Sequence, residues 1–186
     1  MDYDEIMMNA EERMENALDA LGNAFAAVRT GRANARVLDR IKVDYYGAMT
    51  PINQLAGVKT PDARLLVIEP WDKTSLKAIE KAIQESDLGV MPSNDGTVIR
   101  LPFPELTEER RRELAKQCKG YAEDARVSVR NARRDANSQL AKAEKAGEIT
   151  EDDLRGGETE VQKLTDKYVA KIEDAFKAKE AEVMAV

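Results

Sequence analysis

Hydrophobic positions at the start of the chain fall at Tyr3, Met7, Ala10, Met14, Ala17, Leu21, Ala24 and Val28, in alternating steps of four and three. That spacing holds an apolar seam on one side of a helix. It predicts a first helix of about 26 residues, roughly 40 Å long at 1.5 Å per residue. Gly31 follows, where a helix stop is expected. From Leu38 the period falls to two, because Ile41, Val43 and Tyr45 alternate with Arg40, Lys42 and Asp44. Gly47, Pro51, Gly57 and Pro61 break the next stretch into short pieces, and Leu65 to Ile68 reads as a buried strand. A short helix is expected from Thr74 to Glu85, with Leu76, Ile79, Ala82 and Ile83 on one face and Asp72 as its N-cap. The cluster Ser93, Asn94, Asp95 and Gly96 then turns the chain into a last strand, Thr97 to Leu101. Pro102 and Pro104 should stop that strand, since proline has no N–H for the ladder.

Helical period returns at Thr107, which can cap a helix whose first turn carries Glu108 and Glu109 at the positive end of the dipole. Leu114, Cys118, Tyr121, Ala125, Val129, Ala132, Ala136, Leu140 and Ala143 step by three or four up to Gly147. The second helix should therefore run about 40 residues, roughly 60 Å. Thr150 and Asp153 resemble a capping box, and Leu154, Val161, Leu164, Tyr168, Ile172, Ala175 and Val183 form a third seam. Gly156 and Gly157 each cost about 1 kcal/mol relative to alanine in a helix interior, which predicts a frayed or kinked start. Three seams of this kind must bury one another. The expected fold is α+β: an antiparallel three-helix bundle built from residues 1–30 and 106–186, with a small β/α/β domain inserted at 31–105. Two adjacent linkers, 29–35 and 101–105, join the parts and can act as a hinge. Its residues would be Arg29, Thr30, Gly31, Arg32, Pro102 and Pro104.

Composition narrows the chemistry. Charged residues make up 34% of the chain and aromatics 5%, which suits long solvated helices around a narrow core. Cys118 is the single cysteine and there is no histidine, so neither an internal disulfide nor a mixed Cys/His zinc site can form. The commonest general base is missing, and with it any Ser-His or Cys-His nucleophile. Neither GxGxxG nor GxxxxGK[ST] occurs, so no nucleotide site is read. The expectation is a non-enzyme with no cofactor and no metal. Apolar runs such as Leu65 to Ile68 fall far short of the roughly 20 residues that span a bilayer. Residues 1–29 hold seven acids against Arg13 and Arg29, the opposite of a secretory or transit segment, which points to the cytoplasm. Cys118 lies on the apolar seam and reads as a buried small residue. Tyr45, Tyr46 and Trp71 read as core or edge packing of the small β domain rather than as base-stacking platforms.

The net charge of −6 conceals an uneven distribution. Residues 1–29 sum to −5, 30–106 to 0, 107–146 to +4 and 147–186 to −5. Only the long second helix is basic. At about 100° per residue, Arg112, Lys119, Arg126, Arg130 and Arg133 fall within a sector of about 60°, away from the apolar seam. Glu123 and Asp124 interrupt this ridge, but no matching run of acids at i±4 neutralises the whole of it. The ordinary reading of a charge run is a solvated helix face. Here the ridge is rich in arginine, whose fork suits bidentate phosphate contacts, and it stands on an otherwise acidic chain. It is a candidate RNA-binding face.

Several segments carry a resemblance over essentially the whole chain. They are Arg29-Thr30-Gly31-Arg32-Ala33, Val43-Asp44-Tyr45-Tyr46-Gly47, Lys81-Ala82-Ile83 with Ser86-Asp87-Leu88-Gly89, and Ile99-Arg100-Leu101-Pro102. They continue with Leu106-Thr107-Glu108-Glu109-Arg110-Arg111, Val129-Arg130-Asn131-Ala132-Arg133-Arg134-Asp135 and Val161-Gln162-Lys163-Leu164-Thr165-Asp166. In this order and spacing the sequence resembles the ribosome recycling factor family. The resemblance implies an L-shaped two-domain molecule of tRNA-like size, a monomer with no membrane or DNA partner. It implies binding to the large ribosomal subunit and its rRNA after termination, and subunit separation with elongation factor G and GTP hydrolysis by that partner. Carried over to this sequence, the rRNA contacts would be Arg130 and Arg133 within the motif that also holds Arg134, with Arg110 nearer the hinge. Ala35 stands where many members have proline, which would leave the first linker looser. The competing class is a helical structural or chaperone-like module whose ridge docks on protein.

Overall fold

The computed structural model describes residues 1–185. Its elements run α1 (Tyr3–Ala26), β1 (Lys42–Tyr45), β2 (Ala48–Pro51), β3 (Ala56–Asp62), β4 (Leu65–Pro70), α2 (Leu76–Glu85), β5 (Ser93–Asn94), β6 (Ile99–Pro102), α3 (Glu108–Lys145) and α4 (Glu151–Met184). The fold is α+β. Two compact units divide the chain: Met1–Phe25 with Lys116–Ala181, and Ala26–Ala115 with the chain from Glu182.

The second of these units is built on a four-stranded antiparallel sheet in the order β3-β4-β6-β5, beside the hairpin β1-β2. Strand β4 is present where the sequence places it, but it alternates instead of being buried throughout. Leu66 and Ile68 are fully buried while Leu65 and Val67 are half-exposed, as expected for a strand with one face on the core. Leu76, Ile79 and Ile83 of α2 join Leu66, Ile68, Ile99 and Leu101 in one apolar core. Asp72 accepts from the Thr74 N–H at 3.0 Å, capping a 3-10 turn, Lys73–Ser75, that leads into α2. Pro102 does not end the last strand before itself; it is the final residue of β6, opposite Leu65. Its missing N–H matters little at a strand end. The register of β3 on β4 shifts between Lys59 and Asp62, around Pro61.

One expectation fails in part in this unit. Tyr46 and Trp71 lie outside the core, 82% and 70% exposed, and the Tyr46 ring packs edge-on against Tyr45 with centroids 4.6 Å apart. Tyr46 sits at the tip of the β1-β2 hairpin with φ 50°, where the tight turn directs the residue away from the core. Trp71 follows the last residue of β4 and precedes the Asp72 cap, outside the alternation of the strand. Ala35 opens a 3-10 turn, Ala35–Leu38, capped by the Asn34 side-chain carbonyl oxygen, which accepts from the Arg36 N–H at 2.9 Å.

In the other unit, α1 spans 24 residues and buries Ile6, Ala10, Met14, Leu21, Ala24 and Phe25. Ile6 and Phe25 lie beside the heptad seam, because a helix facing two neighbours buries a wider stripe than a single seam. The helix ends at Ala26, before Gly31, and open space surrounds Gly31. Ile6 and Ala10 pack with Ala136, Leu140 and Ala143 near the end of α3 and with Val161 of α4. Arg13 pairs with Asp135 at 2.8 Å, and the Tyr168 hydroxyl donates to Glu15 at 2.6 Å. Together these contacts make α1 antiparallel to α3 and parallel to α4. The Glu15 carboxylate and burial push the Tyr168 phenol up to about 12.

Both ends of the α3-α4 turn follow the sequence. Gly147 adopts φ 73° after α3, and the Glu148 N–H returns to the Ala143 carbonyl at 2.9 Å. Thr150 and Asp153 cap α4 reciprocally, at 3.0 and 3.1 Å. The predicted kink is absent, because α4 runs unbroken through Gly156 and Gly157. The two glycines differ in kind. A Cβ at Gly156 would meet nothing within 4 Å, whereas one at Gly157 would stand 2.9 Å from both Leu140 methyls and 3.0 Å from the Tyr3 ring. At Gly157, unlike Gly156, neighbouring side chains occupy the space a Cβ would take. We expect Gly156→Ala to stabilise the protein by up to about 1 kcal/mol through helix propensity. Gly157→Ala should instead destabilise it by about 1 to 3 kcal/mol through overpacking. Thermal unfolding of the two variants checks this; equal shifts of the same sign would refute it.

Candidate nucleic-acid interface

Helix α3 exists because alanine and leucine recur on one face and its ends are capped. The Thr107 hydroxyl accepts from the Arg110 N–H at 3.1 Å. The buried face comprises Leu114, Cys118, Ala122, Ala125, Val129, Ala132, Ala136, Leu140 and Ala143. The basic residues fall on the remaining surface, but the structure distinguishes among them.

Arg110 and Arg112 lie on the part of α3 that groups with the sheet unit. Arg110 pairs with Glu113 at 2.9 Å and reaches the Asp87 carbonyl at 3.5 Å. Arg112 pairs with Glu108 at 2.6 Å. That acid, four residues earlier, is a neutralising partner the ridge was expected to lack. Further along, Arg126 is drawn down into the bundle. Its side chain is only 17% exposed, and it bridges Glu123 of its own helix at 3.1 Å and Glu173 of α4 at 2.7 Å. Arg130 is 53% exposed and meets Glu123 at 3.5 Å. Arg133 is half-buried and donates to the Gln162 side-chain carbonyl of α4 at 3.3 Å. Arg134, outside the 60° sector, donates to Asn131 at 3.1 Å. Lys119 is exposed. Among the described residues, Lys119, Arg133 and Arg134 have no acid within ion-pair distance.

The ridge is thus sorted by its partners. Arg126 acts chiefly as an internal tie between α3 and α4. Arg130 presents its charge outward while sharing Glu123. Arg133 keeps its whole charge beside a neutral amide. Sequence reading missed Gln162, Asp166 and Glu173, which lie far along the chain on α4. For the first two the only signal was the family resemblance of the segment Val161 to Asp166, and Glu173 had none.

The two linkers meet within the sheet unit. Arg29 is 7% exposed; its Nη2 donates to the Pro104 carbonyl at 2.6 Å and its guanidinium carbon lies 5.5 Å from the Phe103 ring centroid. Burial, and then the nearby Arg110 charge, lower the Arg29 pKa. The Arg32 N–H is held by the Thr30 hydroxyl at 3.3 Å. Backbone bonds from Ala33 to Ala63 and from Phe103 to Arg64, each 2.7 Å, attach both linkers to the β3-β4 turn. Arg64 also pairs with Glu105 at 2.8 Å, and that hydrogen bond holds the Glu105 carboxyl below the usual range.

Among the described residues no cluster of three or more potential metal ligands occurs. No helix among them is long and apolar enough to cross a membrane.

Comparison with known proteins gives one consistent result. The model of the ribosome recycling factor family matches residues 21–184. Ribosome-recycling factors of Bacillus cereus (strain AH187) and Bacillus anthracis (strain CDC 684 / NRRL 3495) are 60% and 59% identical over 182 residues, covering 98% of this chain and 98% of each relative. A solution structure of a ribosome recycling factor superposes with a TM-score of 0.77 at 41% identity, covering 100% of this chain and 99% of that one. A second similar structure is a T. thermophilus ribosome recycling factor, described together with E. coli elongation factor G as bound to the E. coli post-termination complex. It has a TM-score of 0.68 at 44% identity and covers 100% of both chains. Identity of this extent, together with the shared fold, means that the chain belongs to the ribosome recycling factor family.

Proposed function

We propose that the chain is a translation factor that binds the large ribosomal subunit of post-termination complexes through rRNA contacts of α3. With elongation factor G, and GTP hydrolysis by that partner, it promotes subunit dissociation and release of ribosomes from mRNA. The observation that carries the rRNA reading is the arginine pair of exposed Arg130 and half-buried Arg133, the latter beside a neutral amide, on the one basic segment of an acidic chain. A similar protein, described with elongation factor G on a post-termination complex, supports the choice of partners. The factor itself performs no bond chemistry.

Hinge motion at the linkers is the second part of the proposal. Arg29 to Ala35 and Leu101 to Glu105 would let the two parts of the chain swing as rigid bodies. The Arg29 bond to Pro104 would keep the two linkers moving together.

A protein-docking ridge is the alternative, and salt separates the two. Phosphate contacts release counterions, so RNA binding falls steeply with ionic strength.

Arg133→Ala should weaken binding to isolated large subunits by more than tenfold, about 1.5 to 3 kcal/mol for one charge-assisted contact, with helicity unchanged. Arg126→Ala should act differently, lowering the melting temperature because it removes the tie to Glu173. Filter binding across a salt series and thermal unfolding measure both. Wild-type affinity in Arg133→Ala would remove that residue from the site. For the hinge, a reducible cross-link from the helical unit to the sheet unit should preserve ribosome binding and abolish subunit splitting until it is reduced. Full splitting by the locked form would end the hinge reading.

A further inference from the structure

Among the ridge arginines, Arg133 alone has a side-chain partner on another helix that is neutral. Arg112, Arg126 and Arg130 each meet a carboxylate. Arg133 Nη1 instead donates to Gln162 Oε1 at 3.3 Å, while Gln162 Nε2 donates to Asp166 Oδ1 at 2.9 Å. The amide orientation is fixed from both sides. Turned over, its NH2 group would face the guanidinium donors and its carbonyl would face the Asp166 carboxylate, losing both bonds. Gln162 and Asp166 are one turn apart on α4, where side chains at i and i+4 meet. Both are exposed, so neither is needed to fill the core.

The geometry points to Gln162 as a positioning residue for rRNA binding, holding the Arg133 guanidinium in place through an acceptor that does not neutralise it. This rests on the reading of α3 as the rRNA-binding face. A guanidinium carries five N–H donors; the bond to Gln162 uses one and leaves the others for phosphate oxygens. A carboxylate in the same position would hold the arginine as well, but its negative charge would cancel part of the arginine's and repel the phosphate. Asp166 takes the outer place in the relay, where its charge orients the amide rather than the arginine.

The test uses the full-length protein and purified large ribosomal subunits, with Gln162→Leu, Gln162→Glu, Arg133→Ala and the double variant Gln162→Leu with Arg133→Ala. Gln162→Leu removes no charge. It should nevertheless weaken binding about twofold to tenfold, the range for one hydrogen bond, and flatten the salt dependence toward that of Arg133→Ala. Full loss of one phosphate contact would reduce the log–log slope by about 0.7 to 0.9. In the Arg133→Ala background Gln162→Leu should have no further effect. Gln162→Glu should keep Arg133 tethered yet bind more weakly than wild type, because the tether is now a counter-charge. Melting temperatures close to wild type would keep these effects apart from folding. Weakened Arg133→Ala beside wild-type Gln162→Leu would overturn this inference while leaving the rRNA-binding face intact. A Gln162→Leu loss that persists without Arg133 would overturn it too. If Arg133→Ala itself binds like wild type, this inference falls and Arg133 leaves the site, while the other basic residues of α3 remain to be tested.

Discussion

The small side chains on the buried face of α3 set the geometry of the helical unit. Cys118, Ala122, Ala125, Ala132, Ala136 and Ala143 occupy positions where larger residues would hold the helices apart. Small residues let helix backbones approach closely, and at Gly157 of α4 the Leu140 methyls fill the place of the missing side chain. Because the helices are close, long side chains at the rim of the seam can cross from one to the next. Arg13 reaches Asp135, Tyr168 reaches Glu15, Arg126 reaches Glu173 and Arg133 reaches Gln162. Overpacking a close-packed seam costs about 1 to 3 kcal/mol, so the same small residues determine both the stability of the bundle and the direction in which its arginines point.

Much of this was legible in the sequence, and what was not has a common cause. The three helices, the Thr107 cap and the Thr150–Asp153 box are local patterns, and the structure contains them. The basic ridge was visible as a charge pattern at helical spacing. Which of its members is spare was not, because the partners that decide it, Gln162 and Glu173, stand 29 and 47 residues away from Arg133 and Arg126. Glu108 was different, lying four residues before Arg112 where it could have been read. Tyr46 and Trp71 escaped because aromatic residues in a small sheet are usually packed, and a hairpin tip with positive φ is recognised only from the backbone. The two glycines of α4 were read by propensity alone, which cannot say whether a missing side chain leaves room or is required by a neighbour.

Arg29 shows the same limit at the linkers. In sequence it is one basic residue of a motif at the end of a helix. In the structure its charge is buried against Phe103 and bonded to the Pro104 carbonyl, joining segments 75 residues apart. A buried guanidinium stays charged, and its removal would leave an unpaired carbonyl in the same place. The residue is better understood as a clasp between the linkers than as part of the basic surface. Counting arginines along the chain therefore overstates how many can meet RNA.

The same count misleads along the ridge itself. Where an arginine already pairs with a carboxylate, donors remain for a phosphate, but the carboxylate beside them repels it and offsets part of the gain. Arg112 and Arg130 are in that position. An arginine tethered to a neutral amide meets no such opposition and is already held in one place, so less side-chain freedom is lost on binding. Affinity on the proposed reading should then be concentrated at Arg133 and its immediate neighbours. The acidic segments on either side of α3 in sequence, at −5 each, add a repulsive field that a second, misplaced RNA contact would have to overcome. Selectivity for one line of contact can thus come from where the negative charge lies as much as from where the positive charge does.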